Sequence, residues 1–157
     1  MRPDYAGGSL VNLVASIAAA RGARPRHAPL AGFAIDERVR NIVLLIVDGL
    51  GDNYLRRHGV GSELGRRRKR ALTSVFPSTT ASAITTSYTG CTPLEHGLTG
   101  WFTYFGAAGC VSAALPFRSR GDMALLSTRG VTAEAIFDAP PLFLELTVRS
   151  IVVTYRA

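Results

Sequence analysis

Histidine and acidic side chains are in short supply in this sequence. Its 157 residues carry 3 histidines and 11 aspartates and glutamates, against 18 lysines and arginines. Beyond residue 105 the acidic set is Asp122, Glu134, Asp138 and Glu145, and there is no histidine. A metal site that takes several ligands per ion is therefore hard to assemble from the later part of the chain. Cysteine is equally scarce. Cys91 and Cys110 fit no metal-binding spacing, can form at most one bridge, and read as isolated small residues in packing. Long apolar runs are missing as well. The longest, "NIVLLIV" at 41–47, is preceded by Arg40 and stopped by Asp48, well short of the roughly 18 to 20 residues that span a bilayer. The chain reads as soluble.

What is present supports one globular core. An apolar share of 47% argues against disorder, and the length is too small for two comfortable domains. The net charge of +7 comes largely from two local clusters, "RGARPRH" at 21–27 and "RRRKR" at 66–70. Neither is interleaved with aromatics or set in a nucleic-acid motif, so a solvated loop is the commoner explanation and no specific nucleic-acid partner is expected.

"SLVNLVASIAAA" at 9–20 resembles an export signal in being apolar and ending in small residues. Asn12, the preceding Asp4 and the single basic flank Arg2 argue otherwise, and apolar residues at 10, 13, 14, 17 and 18 predict an amphipathic helix capped by Ser9. With no clear signal peptide, a cytoplasmic location is favoured. Residues 21–36, rich in Pro, Arg, Gly and Ala, read as a loop, so that 1–36 forms an N-terminal helix and loop.

The uninterrupted β-branched run at 41–47 predicts a strand covered on both faces, as in a parallel sheet between helix layers. "DNYLRRH" at 52–58 predicts a short helix closed by Gly59, and "ALTSVF" at 71–76 a second strand ended by Pro77. "STTASAITTSYTG" at 78–90 reads as a helix, with Ser78 and Thr79 as cap candidates, Ala81, Ile84 and Tyr88 at helical spacing, and Gly90 as the stop. "WFTYF" and "CVSAALPF" around "GAAG" predict a hairpin outside the main layers. "TAEAIF" and "PPLFLEL" read as short helical pieces, and "RSIVVTY" at 149–155 as another buried-type strand. Strands alternating with helices imply an α/β fold, and about three sheet strands against a usual five or six suggest the front portion of a larger domain.

Functional groups in open α/β sheets collect beyond the carboxyl ends of the strands, where this reading puts Asp48 and "PSTT". An aspartate there is a good ligand for a divalent cation, and Gly49 lets the backbone turn sharply beneath it. Thr80, at the first turn of a helix, lies where free amides and the helix dipole favour an incoming phosphate. A metal touching its hydroxyl would make it a nucleophile without an adjacent histidine. Each residue alone fits a plainer role, as a helix cap or turn former.

Together, "VDGLG" after an apolar strand and "FPSTTASAITTSYTGCTPLEHGLTGW" resemble the type I phosphodiesterase and nucleotide pyrophosphatase branch of the alkaline phosphatase superfamily, strongly over about 41–105 and weakly elsewhere. The resemblance implies a three-layer α/β/α sandwich of the alkaline phosphatase type with a mostly parallel sheet, of which 1–157 would be an incomplete, N-terminal part. It implies hydrolysis of a phosphate ester or nucleotide-like substrate, with two divalent ions, zinc by analogy, as cofactors. Residue by residue, Asp48 matches a metal ligand and Thr80 the metal-bound nucleophile, while Thr89, Gly90, Pro93, His96 and Gly97 match the "TG…P…HG" tail, in which His96 is not a ligand.

Two departures accompany it. Ala83 stands where many relatives have a phosphate-binding asparagine, and the aspartates and histidines that complete the two-zinc site downstream are missing. A noncatalytic remnant, or a module binding phosphorylated ligands or another chain, is the competing reading. An unfinished sheet edge would favour self-association in either case.

Overall fold

The computed structural model describes residues 2–137 and 139–154. Five α-helices come first among them: α1 (Leu10–Ala20), α2 (Asp52–His58), α3 (Glu63–Arg67), α4 (Thr80–Thr89) and α5 (Pro93–His96). A small sheet follows, formed by β1 (Phe102–Phe105), β2 (Cys110–Ala113) and β3 (Arg118–Ser119). Its strands run in the order β1-β2-β3 and are antiparallel at both junctions, with Phe102 opposite Ala113 and Phe105 opposite Cys110.

This arrangement overturns the expected three-layer α/β/α sandwich with a mostly parallel sheet. Residues 41–47 form neither helix nor strand, and Val43 and Leu45 are 87% and 76% exposed. Residues 149–154 are likewise irregular and largely exposed, and Tyr155 of that expected strand lies outside the described residues. The segment 71–76 pairs through one residue only, a parallel bridge between Thr73 and Ser9.

The physical reason is the fate of the hydrogen bonds. A doubly covered parallel strand needs a neighbour along each edge and a helix layer on each face. The backbone of Thr73 instead bonds the turn before α1, accepting from Leu10 N–H at 3.0 Å and donating to Gly8 O at 2.9 Å. The helices that could cover a sheet are occupied too, because α1 and α4 pack on each other. A hydrophobic run specifies burial only when a partner surface is there to bury it.

Local expectations fare better. Ser9 is the N-cap of α1, but the buried face is Val11, Val14, Ala15 and Ala18, one position round from the apolar set named above. Asn12 and Ser16 cause the rotation, since both are buried and tie the helix to neighbouring loops. Asn12 Oδ1 accepts from Ser9 N–H at 3.0 Å and its amide donates to Tyr5 O and Ala28 O at 2.9 and 2.8 Å. Ser16 Oγ accepts from Leu30 N–H at 2.9 Å. Asn12→Ala would leave these backbone groups without their partner at a buried site. We expect a loss of about 2 kcal/mol, read as a lower urea midpoint at unchanged slope. An unmoved midpoint would show that water replaces the amide.

The hairpin forms, β1 and β2 being joined by a single 3-10 turn at Gly106–Ala108 and by Gly109, whose φ of +62° suits glycine, but it belongs to the described sheet and core rather than lying outside the main layers. "TAEAIF" is a turn rather than a helix, and only Leu142–Leu144 of "PPLFLEL" is helical, as a 3-10 turn after Pro141. The main apolar cluster comprises Ala81, Leu98, Phe105, Ala114, Leu126 and Val131. It joins the start of α4 to the sheet, which places that helix terminus beside the strand entering β1.

Candidate active site

The site begins at two turns. Val47 O accepts from Leu50 N–H at 3.3 Å, and between them Gly49 holds a φ of +78°, a left-handed conformation costly for other residues. This turn presents Asp48 as an exposed side chain. The second turn leads into α4. Thr79 is the N-cap, its hydroxyl accepting weakly from Ser82 N–H at 3.4 Å, and its carbonyl accepts from Ala83 N–H at 2.9 Å.

Thr80 is thus the first residue of α4, and its Oγ1 donates to Asp48 Oδ2 at 3.0 Å. Asp48 and Thr80 lie 32 positions apart in sequence and are brought side by side. Asp48 does not sit at a strand end in a buried sheet; its side chain is exposed and accepts a hydrogen bond from the Thr80 hydroxyl. Among the described residues, the first-turn amides of Thr80 and Ala81 have no acceptor, leaving the positive end of the helix dipole open.

The pair opens into a cleft of about 390 Å³. It is lined by the polar residues Asp48, Ser74, Ser78, Thr79 and Thr80 and by Ala83 and Trp101. Ser74 and Trp101 were not singled out in the sequence. The available signal was indirect, since the hairpin that follows Trp101 packs on the start of α4.

The "TG…P…HG" residues shape the far end of α4 rather than the cleft. Gly90 ends the helix with a φ of +69°, Pro93 opens α5, and Gly97 ends it with a φ of +73°. His96 is buried between them, its Nδ1 accepting from Leu98 N–H at 3.1 Å and its Nε2 lying 3.2 Å from Thr86 Oγ1. Since an amide can only donate, Nδ1 carries no proton and Nε2–H donates to Thr86. Burial pushes this imidazole below its ordinary range, while backbone groups of Ser82 and His96 and the Glu95 carboxylate pull the other way. Both ring nitrogens are committed to structure.

The basic run is also engaged by the chain itself. Arg66 and Arg67 pair with Glu63, Arg68 pairs with Asp52, and Arg70 donates to Ala31 O at 2.6 Å. Cys91 and Cys110 are free thiols, and burial pushes that of Cys91 up.

A hydroxyl on the first turn of a helix is thus bonded to a carboxylate, beside unpaired amides, in an open cleft. Residues 42–115 match the family described as type I phosphodiesterase / nucleotide pyrophosphatase, consistent with the N-terminal portion of that family. Both Asp48 and Thr80 lie inside the matched stretch. The family is generally metal-dependent, and its description points to phosphate-ester substrates. No curated protein and no solved structure matches the chain.

The donor set here does not fit a complete two-metal centre. Asp48 and Thr80 offer one carboxylate and one hydroxyl, and no group of three or more His, Cys, Asp or Glu among the described residues could hold an ion. Asp122 and Glu145 are committed to Arg129 and Arg26, and Asp138 lies outside the described residues. Nor is any described helix long and apolar enough to cross a membrane.

Proposed function

We propose that this chain carries the nucleophile-bearing part of a phosphoric ester hydrolase, with Thr80 as nucleophile and residues 1–157 as part of one catalytic domain. The observation that carries the reading is the 3.0 Å bond from Thr80 Oγ1 to Asp48 Oδ2 at the open end of α4. Thr80 Oγ1 attacks phosphorus, its proton passes to Asp48 Oδ2, and the ester oxygen leaves, giving a phosphothreonine intermediate that water then cleaves. The α4 amides take the developing charge on the phosphoryl oxygens, the role that Ala83 leaves unfilled.

A carboxylate is a weak base for an alcohol, so this step is slow with Asp48 alone. Metal dependence enters the proposal as a requirement for further donors, for two divalent ions and zinc by preference, supplied from elsewhere than the described residues. A second reading, a noncatalytic module that only binds phosphorylated ligands, is favoured by the same lack of a ligand set.

Incubation with bis-p-nitrophenyl phosphate separates the two. The hydrolase reading expects release of one equivalent of p-nitrophenolate per chain and an aryl phosphoryl group on the peptide bearing Thr80, found by mass spectrometry. Binding without any adduct would support the module instead.

A further inference from the structure

The cleft has a feature that the phosphoryl chemistry leaves unused. Trp101 is the only tryptophan in the chain, and it lines the cleft that contains Thr80 while remaining 43% exposed. Its position is fixed by the sheet, since Trp101 O accepts from Ala114 N–H at 3.2 Å and the next residue begins β1. The rest of the lining is hydroxyls, one carboxylate and the methyl group of Ala83.

We propose that Trp101 is a specificity-determining residue whose indole face receives a flat aromatic ester group, so that the site selects aryl over alkyl phosphoric esters. The proposal rests on the Thr80 reading for the position of the phosphoryl group. Four physical points support it. A large aromatic left half exposed at the mouth of a polar cleft is an unfilled stacking surface, and offset stacking is the geometry that such a face favours. Ala83 contributes only a methyl group to the lining, so α4 puts no bulky side chain into the cleft at that position. A cleft of about 390 Å³ is within the usual size for a small ligand. The mixed lining, hydroxyls and backbone amides together with an indole, matches a ligand with an anionic end and an apolar end.

Because Trp101 is the only tryptophan, its fluorescence reports on the cleft directly. Titration with phenylphosphonate, which cannot be hydrolysed, is expected to change the emission, with binding about ten-fold tighter than that of methylphosphonate. Inorganic phosphate should resemble the methyl compound. By calorimetry, Trp101→Leu is expected to bind both phosphonates alike. Equal affinities in the unsubstituted chain, an intact preference in Trp101→Leu, or no binding of phenylphosphonate would each overturn the proposal. Its failure is distinguishable from that of the hydrolase reading. Thr80 labelling without an aryl preference removes only the role of Trp101, and an aryl preference without labelling removes only the nucleophile.

Discussion

Thr80→Ala is expected to abolish the phosphoryl adduct and the stoichiometric release of p-nitrophenolate, because it deletes the only hydroxyl bonded to Asp48 among the described residues. The control is next door. Thr79 also lines the cleft, but its hydroxyl serves the helix, accepting from Ser82 N–H. Thr79→Ala should therefore lower stability by about 1 kcal/mol, as loss of an N-cap does, and still be labelled on Thr80. Thr80→Ser keeps the oxygen and should keep the adduct. Asp48→Asn removes the proton acceptor while leaving a side chain that can still hold the hydroxyl, so labelling should slow by roughly ten-fold or more. If Thr80→Ala is labelled as fast as the unsubstituted chain, the nucleophile is some other group and the proposed function fails.

The second large effect concerns His96, which locks α4 to the loop that leads towards the cleft. Its two bonds, to Leu98 N–H and Thr86 Oγ1, lie in a buried region. His96→Ala strands both partners and opens a cavity, with an expected cost of about 3 kcal/mol in urea unfolding.

The same residue sets a pH dependence whose sign follows from burial. The folded imidazole has a pKa below its ordinary 6.5, so between the two values the unfolded chain holds a proton that the folded chain refuses. The contribution of His96 is fully present above about pH 6.5 and is lost as pH falls towards the lowered folded value. Protonation would also remove the acceptor that Leu98 N–H requires. Thermal melts between pH 7.5 and 5.5 should show the midpoint falling, and His96→Ala should flatten that fall. A flat profile in the unsubstituted chain would show that His96 is not held neutral.

Asp122 acts in a separate window. The Ser119 hydroxyl, then the Ala124 amide and the Arg129 guanidinium, hold its carboxyl down to about 2 from an ordinary 3.8. Its contribution is present above about 3.8 and is lost as pH falls through about 2, well below the His96 range.

The extent to which the sequence could be read depended on the range of the interactions involved. Helix α4 was legible because its signals are local, with Thr79 capping, Gly90 in the left-handed region and the chain turning away afterwards. The hairpin was legible for the same reason, since a glycine-bounded turn between two aromatic and β-branched runs contains most of its own instructions. Thr80 and Asp48 stood out because Thr80 lies at a helix start, Asp48 precedes a glycine turn, and both fall in the stretches that carry the family resemblance. The buried side of α4 was legible only at Ala81. Ala81, Ser82, Thr85, Thr86 and Thr89 face inward, and the expected positions Ile84 and Tyr88 stay partly exposed. Hydroxyls can occupy that face because they bond back into the structure, Ser82 to Leu98 O at 2.8 Å and Thr89 to Thr85 O at 2.8 Å.

The sequence by itself determined the starts of α1 and α4, the glycines that close α2 and α4, and the hairpin, all of which arise from interactions within a few residues. Tertiary structure alone decided that "NIVLLIV" remains unpaired, that α1 turns its Asn12 face inward, and that Trp101 shares a cleft with Thr80. Strand pairing and burial depend on which distant surfaces are present to meet. Hydrophobic pattern records a segment's tolerance for burial, and only the folded neighbours determine whether that burial takes place.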